Sequence, residues 1–265
     1  MNCKVCGSVS HFLFKAKVLH QYHVAYYQCR NCGFIQTEEP YWMNKAYDDA
    51  ISIADTGLVQ RNISIAAKLS ALIYFAFDAN RSYLDVAGGY GLFVRLMRDF
   101  GFDFYWSDKY CRNLLAKGFE AENANGPFNA LTAFEVLEHL REPLEFIDEI
   151  MSRYTSRTLI FTTQLYNGAL PPPDWWYYAF DTGQHISFYH IKTLAWIAEK
   201  LALKFISANG VHIFTDQQIN KTRYRLLTSR LACPLSLYAK HRMKSRTLTD
   251  HFMLMKANNA GDAHR

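Results

Sequence analysis

The sequence lacks any uninterrupted apolar run of about 18 residues, the length that a helix needs to cross a bilayer. Its first residues also lack the apolar core of a secretion signal, so we expect a reducing, cytoplasmic location in which disulfides are disfavoured. Internal repeats and low-complexity tracts are missing as well. Of the 265 residues, 50% are apolar and 20% are charged, which is typical of a soluble globular chain with one substantial domain and a small one.

Strong charge of either sign is also missing. The net charge of +5 permits an acidic ligand or a nucleic acid but favours neither. Residues 1–40 contain no dense patch of Lys and Arg, which argues against a nucleic-acid-binding module there. Between Asp216 and Asp250 basic residues occur without any acid, and we interpret them as a solvated helix face, with contact to a membrane, a nucleic acid or a phosphorylated substrate as the alternative. These basic residues are Lys221, Arg223, Arg225, Arg230, Lys240, Arg242, Lys244 and Arg246.

Cysteine is scarce, with six residues, but four of the six form two Cys-x-x-Cys pairs. A glycine directly follows each pair and allows the tight turn that directs both sulfurs at one ion. Four thiolates suit tetrahedral zinc and leave no open coordination position, so we predict a structural Zn²⁺ site in a zinc-ribbon module of residues 1–40. Redox thiols are the alternative, but a redox motif usually has one such pair within a βαβ pattern. The predicted ligands are Cys3, Cys6, Cys29 and Cys32.

Short apolar runs alternate with helical patterns in the middle of the chain. This alternation is typical of a parallel sheet built from βαβ units. The predicted strands are 83–86, 103–107, 130–134 and 158–163, and the predicted helices are 92–100 and 143–153.

The flanking segments have helical character or aromatic loops. We expect residues 41–80 to form a helical linker that acts as a lid over a ligand. A helix near 191–201, a strand near 211–215 and a closing strand at 251–256 are predicted after the alternating region. The predicted domains are a zinc ribbon at 1–40, a linker at 41–80 and a main α/β domain with a basic helical insertion at 81–265.

A glycine-rich turn follows the first predicted strand of the main domain. Glycines at Gly89 and Gly91 allow a sharp turn and a close approach of the backbone to a ligand, which the turn delivers to a helix N-terminus. Val94 stands where the nicotinamide fingerprint requires a third glycine, and no Gly-Lys-Ser/Thr follows, so neither that fingerprint nor a P-loop fits. The turn therefore predicts a different nucleoside-bearing cofactor.

The turn resembles the first motif of the class I S-adenosylmethionine-dependent methyltransferases. That motif reads acidic-x-small-x-Gly-x-Gly, and alanine replaces its most frequent small residue, glycine, in this chain. The resemblance implies that S-adenosylmethionine is the cofactor and that the turn contacts it. The residues concerned are Asp85, Ala87, Gly88, Gly89 and Gly91.

Two further segments extend the resemblance over roughly residues 80–210. Asp108 ends the second predicted strand, about 20 residues after the turn, where a carboxylate binds the ribose diol in dinucleotide folds. The run from Phe134 and Glu135 to His139 resembles the fourth-strand motif of a large methyltransferase subgroup. By that resemblance, the backbone at Phe134 and Glu135 lies near the methionine end of the cofactor. The implied fold is a Rossmann-like α/β fold with a seven-stranded methyltransferase sheet.

Two histidines are candidate bases for the acceptor. His139 follows the fourth predicted strand, and His185 lies in a segment that resembles methyltransferases of sugar and antibiotic pathways, some of which begin with a four-cysteine zinc module. A Glu-His pair in that region is associated with deprotonation of the sugar in C-methylating enzymes, whereas this chain has Gln184 in place of the glutamate. A packed polar role or a helix cap is the alternative for both histidines.

A metal is a second interpretation of the fourth-strand motif. Glu135, Glu138 and His139 stand at i, i+3 and i+4 and would share one face if a helix began at Glu135. Ubiquinone-pathway O-methyltransferases have a similar metal site. The alternative is that Glu135 contacts the cofactor and that Glu138 is a charge at a helix start.

The run at 171–178 is unusually rich in proline and aromatic residues. It can line the base of a pocket for a sugar or an aromatic acceptor, or it can pack against the zinc module. We leave these two interpretations open.

The sequence thus predicts an enzyme that methylates a small polar acceptor, such as a nucleotide-linked sugar or another secondary metabolite. A zinc-ribbon nucleic-acid-binding protein or an RNA methyltransferase is the competing hypothesis. A third hypothesis is a degenerate methyltransferase fold that only binds a partner, and the intact set of Asp85, Gly89, Gly91 and Asp108 argues against it.

Overall fold

The computed structural model describes residues 1–47 and 55–262. Residues 48–54, which belong to the predicted lid, lie outside the described residues. The strands are β1 Ser10–Val18, β2 Tyr22–Cys29, β3 Ile35–Thr37, β4 Ser82–Val86, β5 Asp103–Ser107, β6 Ala130–Phe134, β7 Thr158–Thr162, β8 Leu165–Tyr166, β9 Ser187–His190, β10 Lys204–Ala208 and β11 Val211–Thr215. The helices are α1 Met43–Ala46, α2 Leu58–Ala76, α3 Leu92–Asp99, α4 Pro143–Arg153, α5 Ile191–Lys200, α6 Lys221–Leu227, α7 Cys233–Met243 and α8 Thr247–Asp262.

One sheet has six strands in the order β10-β11-β7-β6-β4-β5. Strand β4 is parallel to β5 and β6, whereas β11 is antiparallel to β7 and β10. The predicted α/β fold with a Rossmann-like sheet is therefore confirmed; among the residues that the structure describes, this sheet has six strands, whereas seven were predicted. Beyond β5 the described residues have an isolated parallel bridge between Trp106 and Glu120, because the chain there is taken up by turns and a short 3₁₀ helix.

The other sheet has five strands in the order β1-β2-β3-β9-β8. Its first three strands come from the cysteine-rich segment, and β3 pairs with β9 through Ile35 opposite Phe188. Residues 1–40 thus share a sheet with a segment about 150 positions further along the chain. This pairing differs from the sequence-based division, which set 1–40 apart as a module of its own.

The chain divides into two compact units, each built from two separate segments. The first unit contains Met1–Asp55 and Ala133–Gln217, and the second contains Thr56–Thr132 and Gln218–Arg265. Hydrophobic periodicity along the chain could not predict this division, because each unit depends on contacts between distant segments.

Aromatic side chains form the core of the first unit. Tyr177 and Tyr178, from the proline-rich and aromatic run, are buried in one cluster with Tyr26 and Phe188. The run therefore packs against the strands that follow the first cysteine pair, as one of its two interpretations predicted. Trp176 is the exception, since 73% of its surface is exposed.

In the second unit, the prediction of a closing strand at 251–256 was wrong, because these residues lie in α8. The carboxylate of Asp250, in the first turn of this helix, accepts two hydrogen bonds of 2.8 Å from the buried guanidinium of Arg98. Phe252 and Met253 are exposed, so this apolar run does not fill a sheet core. A helix satisfies its own backbone groups, whereas a strand would need a neighbour to pair with.

Among the described residues no helix is both long and apolar enough to cross a membrane.

Candidate functional site

The four paired cysteines converge at the start of the first unit. The Sγ atoms of Cys3 and Cys32 are 3.6 Å apart, and those of Cys6 and Cys29 are 3.4 Å apart. All four sulfurs lie within 4.8 Å of one another. A zinc–sulfur bond of about 2.3 Å gives a tetrahedron with edges of about 3.8 Å, so the cluster fits Zn²⁺. The separations are far beyond the roughly 2.05 Å of a disulfide.

Ionisation is shared unequally in this cluster: the pKa values of Cys3 and Cys6 are lowered, whereas burial raises that of Cys29 and the bond to Cys3 raises that of Cys32. A hydrogen bond from Cys32 lowers the pKa of Cys3 to about 5, and burial opposes this effect. A thiolate is the form of cysteine that binds a metal. The donor set therefore matches the structural zinc site predicted from the spacing of the pairs.

The glycine-rich turn of the second unit has left-handed backbone at three positions. The φ angles are 56° at Ala87, 53° at Gly89 and 87° at Gly91. Residues with a Cβ rarely adopt this region, which explains why glycine is the usual residue at the position of Ala87. A Cβ on Gly91 would stand 2.9 Å from Oδ1 of Asn113, so this position also requires glycine for space.

The end of strand β5 holds the turn in place. Oδ2 of Asp108 accepts a 2.9 Å hydrogen bond from the N–H of Gly89, and the indole N–H of Trp106 donates to the carbonyl of Gly89 at 2.8 Å. Oδ1 of Asp108 accepts the N–H groups of Tyr110 and Cys111. A carboxylate offers about four acceptor sites, so these three bonds leave capacity for a ligand hydroxyl.

Open space borders this turn. A Cβ at Gly89 would have no atom within 4 Å, whereas at Gly88 it would lie 2.9 Å from both Oδ2 of Asp85 and the Trp106 ring. Gly91 is the N-cap of α3, whose first N–H groups lack partners within the helix. The turn therefore has a partly exposed glycine, a carboxylate and a helix N-terminus together, which fits a nucleoside cofactor.

Asp85 lies under the turn and is only 3% exposed. Burial raises the pKa of this carboxyl group to about 7, the hydrogen bond from Thr132 lowers it, and the charge of Asp108 raises it further. A buried acid of this kind supports the turn from below.

Phe134 and Glu135 belong to the first unit; Phe134 is the last residue of strand β6, and Glu135 directly follows it. The φ angle of Glu135 is 54°, so no helix begins there. Its N–H donates to Oγ1 of Thr162 at 3.0 Å, and the same hydroxyl donates to Oε1 of Glu135 at 2.6 Å. The expected helical face of Glu135, Glu138 and His139 therefore does not form, because the chain turns at Glu135 and continues as a 3₁₀ helix over Leu137–His139.

The two candidate bases meet in the first unit. The ring centroids of His139 and His185 are 4.9 Å apart, with the rings nearly perpendicular. Nδ1 of His185 is 2.7 Å from the carbonyl of Tyr177, and Nδ1 of His139 is 3.1 Å from the carbonyl of Gln184. Both rings are partly exposed. Burial lowers the pKa of His139 to about 3, with a smaller contribution from His185, so this ring is neutral near pH 7.

Two tyrosines at this place were not predicted as site residues. The hydroxyl of Tyr47 is 2.9 Å from Nδ1 of His139. Tyr177 supplies the carbonyl that orients His185, and its ring centroid lies 4.6 Å from that imidazole. Both stand in segments that the sequence marks only as helical or aromatic, without the spacing of a motif. Their roles depend on contacts between distant parts of the chain.

The sequence matches a known family. A family model described as a methyltransferase domain matches residues 60–208, which is more than half of the chain. No curated protein matches the chain by sequence.

Several solved structures are similar in fold. TnmH has a TM-score of 0.47 at 18% identity, over 65% of this chain and 60% of that chain. The mitomycin 7-O-methyltransferase MmcR has a TM-score of 0.43 at 15% identity, over 65% of this chain and 59% of that chain. Magnesium protoporphyrin IX methyltransferase from Synechocystis PCC 6803, with bound SAM, has a TM-score of 0.36 at 15% identity, over 65% of this chain and 87% of that chain. The alignment thus spans about three fifths of the length of the first two proteins.

Proposed function

Because this chain belongs to the methyltransferase domain family, we propose that it transfers the methyl group of S-adenosylmethionine to a small polar acceptor. One observation carries the proposal. Asp108, at the end of β5, holds the N–H of Gly89 at the start of α3, so an acid and a glycine turn lie together as a nucleoside cofactor requires. When bound, the cofactor supplies a methyl group that its sulfonium already activates.

The second unit supplies most of the proposed cofactor contacts. Asp108 has about one acceptor site left for a ribose hydroxyl, and the open space next to Gly89 admits the cofactor close to the backbone. Asp85 acts indirectly, since it is buried beneath the turn. For Phe134 and Glu135 a contact with the methionine part stays a prediction from the motif. The proposed turn residues are Asp85, Ala87, Gly88, Gly89, Gly91 and Asp108.

We propose that the acceptor binds and loses its proton at His139 and His185 in the first unit. Nδ1 of each ring faces a backbone carbonyl, which can only accept a hydrogen bond, and the Tyr47 hydroxyl at Nδ1 of His139 can accept from the same N–H. Each Nδ1 therefore carries the proton and each Nε2 has a lone pair. The lone pair on Nε2 can take the proton of the acceptor directly, or it can bind an ion that promotes the loss of this proton.

The acceptor class that we propose is a nucleotide-linked sugar or another hydroxylated secondary metabolite. The resemblance of the His185 segment to methyltransferases of sugar pathways supports it. The zinc cluster is proposed to be structural, because four cysteine ligands leave no open coordination position for a substrate.

Calorimetry with S-adenosylhomocysteine tests the cofactor part of this proposal. We expect the full chain to bind the compound, and Asp108→Ala to weaken binding by at least about 10-fold because the diol acceptor is lost and the turn loosens. Asp148→Ala is the matched control, since Asp148 is exposed on α4 and belongs to the first unit. Absence of binding by the wild-type protein would overturn the proposal.

A further inference from the structure

Glu138 is buried without a hydrogen-bond partner. Its side chain is 0% exposed, and among the described residues neither carboxylate oxygen has a partner. Keeping an isolated carboxylate charged in the interior is very costly, so buried carboxylates are normally paired or bind a metal.

Nearby phenols do not meet this need. The negative charge of Glu138 adds to burial in raising the pKa values of Tyr177 and Tyr189, which shows that both hydroxyls feel the carboxylate. Yet the hydroxyl of Tyr189 donates to the carbonyl of Leu137 at 2.7 Å, and that of Tyr177 accepts the N–H of Gln164 at 3.0 Å. The hydroxyl of Tyr177 also lies 3.2 Å from Oγ1 of Thr163, to which it can donate. The carboxylate oxygens of Glu138 therefore lack a donor among the described residues although donors are close.

The two histidines next to Glu138 have the orientation of metal ligands. In metal sites a ligating imidazole usually donates its other N–H to a backbone carbonyl or a carboxylate, which fixes the ring and its tautomer. Here the carbonyls of Gln184 and Tyr177 take that place at Nδ1 of His139 and His185. Nε2 of each ring is left as the nitrogen that can bind an ion.

We infer that Glu138, His139 and His185 form a binding site for a divalent transition-metal ion, separate from the cysteine cluster. One ligand atom from each residue lies within 4.8 Å of the other two. All three belong to the first unit. The site differs from the set that the sequence suggested, because Glu135 is turned toward Thr162 and His185 takes its place.

The chemistry of the donors selects the kind of ion. Two imidazoles and one carboxylate suit zinc and the other borderline transition metals, whereas magnesium and calcium prefer an all-oxygen set. Catalytic zinc sites often have two histidines and a glutamate with one position open. His139 and His185 are partly exposed as residues, as access of an acceptor to that position requires.

The backbone around the site is held firmly. The N–H of Ile186 donates to the carbonyl of Glu138 at 2.9 Å, and the hydroxyl of Ser187 donates to the carbonyl of Leu140 at 2.6 Å. These bonds tie the segment of Glu138 and His139 to the strand that follows His185. The three ligands are thus preorganised before an ion binds.

The role of the ion rests on the proposed methyl transfer. A hydroxyl of the acceptor in the open position becomes more acidic, and its proton leaves to solvent. The oxygen lone pair then forms the new bond to the methyl carbon, and the electron pair of the breaking carbon–sulfur bond stays on sulfur. In this mechanism His139 and His185 promote proton loss as ligands of the ion. Acceptors that have a hydroxyl group are favoured.

Zinc content of the full chain after dialysis against Zn²⁺, measured by mass spectrometry, tests the site. We expect two ions per wild-type chain, one each in Glu138→Gln and Cys29→Ser, and none in the variant that combines both changes. His185→Gln should resemble Glu138→Gln, with zinc binding at the site at least about 100-fold weaker. His251→Gln is the matched control, since His251 is exposed on α8.

If a variant is unstable, the melting temperature with and without added Zn²⁺ provides a second test of the metal site. Added Zn²⁺ should stabilise Cys29→Ser through the remaining site but should have no effect on the combined variant. Retention of two ions by Glu138→Gln, or a wild-type chain whose only ion is lost in Cys29→Ser, would overturn the inference. If the ions bind as expected but S-adenosylhomocysteine does not, the proposed function fails and the metal site stands.

Discussion

The hydroxyl of Thr132 donates a 2.6 Å hydrogen bond to Oδ1 of Asp85, inside the second unit and beneath the glycine turn. The two residues stand opposite each other on parallel neighbouring strands. This bond offsets only part of the cost of burial, since the pKa of Asp85 is still raised to about 7 by burial. The acid therefore has a pH-dependent effect on stability that can be measured.

Asp85 should make the protein less stable as the pH rises from about 4 to 7. In the folded state the carboxyl keeps its proton up to about pH 7, whereas in the unfolded state it loses it near its ordinary value of 3.8. The folded state then binds more protons in this window, so the free energy of unfolding falls with pH, by at most about 1.4 kcal/mol per unit. Asp85→Asn removes this dependence. In urea unfolding, the free energy of unfolding of the variant should therefore increase relative to that of the wild type from pH 5 to pH 8.

The control for this experiment is Asp148→Asn, which changes an exposed acid. Its unfolding free energy should follow the wild type at both pH values. A constant difference between Asp85→Asn and the wild type at pH 5 and pH 8 would contradict the prediction.

Ala87→Gly should stabilise the protein by about 0.5–1 kcal/mol. The left-handed backbone at Ala87 costs a residue with a Cβ about 1–2 kcal/mol. Glycine avoids this cost, but its larger conformational entropy in the unfolded state cancels part of the gain. Denaturant unfolding measures the difference. Ala71→Gly, in the middle of α2, is a control of opposite sign and should be destabilising. A loss of stability in Ala87→Gly would show that the backbone at this turn is not strained.

Cys29→Ser should lower the melting temperature by roughly 10 °C, because a structural zinc site supplies several kcal/mol and each kcal/mol shifts the midpoint by about 2–4 °C in a chain of this size. Cys29 is fully buried, and its sulfur faces Cys6. Cys233→Ser is the control, since Cys233 is exposed outside the cluster and should melt like the wild type. Equal melting of both variants, with equal zinc content, would rule out a structural ion.

Asp250→Asn should destabilise the protein by about 3 kcal/mol. Arg98 is 2% exposed in its side chain, and removing one partner of a buried ion pair leaves an uncompensated charge. Asp103, 3.0 Å from the same guanidinium, limits the loss. Asp78→Asn breaks an exposed pair with Arg81 and should cost less than about 1 kcal/mol, as urea unfolding of both variants will show. Similar losses in the two variants would contradict this account of α8.

Local patterns predicted five strands of the six-stranded sheet but not β10, Lys204–Ala208. The strands and helices between residues 81 and 165 were expected within one or two residues of their observed ends, because apolar runs and the glycine turn fix them locally. The cysteine cluster was predicted for the same reason, since both pairs have fixed spacing. The family prediction is likewise confirmed by the match over residues 60–208.

Contacts between distant segments could not be predicted. The approach of His185 to Glu138 and His139 depends on β9 joining the sheet of the cysteine-rich strands, and a single sequence has no signal for that pairing. The helical face expected for Glu135, Glu138 and His139 also could not form, because Glu135 has a left-handed backbone. Its N–H donates a hydrogen bond to the hydroxyl of Thr162 on another strand. The helix at 251–256 was missed because a short apolar run alone does not distinguish a strand from a helix.

The pairing of β3 with β9 also fixes an order of events during synthesis. The four paired cysteines all lie between residues 3 and 32, so they can gather around an ion long before β9 has been made. Strand β3, which follows the second cysteine pair, has its last partner only when Phe188 has been made. The edge of β3 therefore stays unpaired while the roughly 150 positions between Ile35 and Phe188 are made, and an ion held by the four cysteines would restrain these strands during that time.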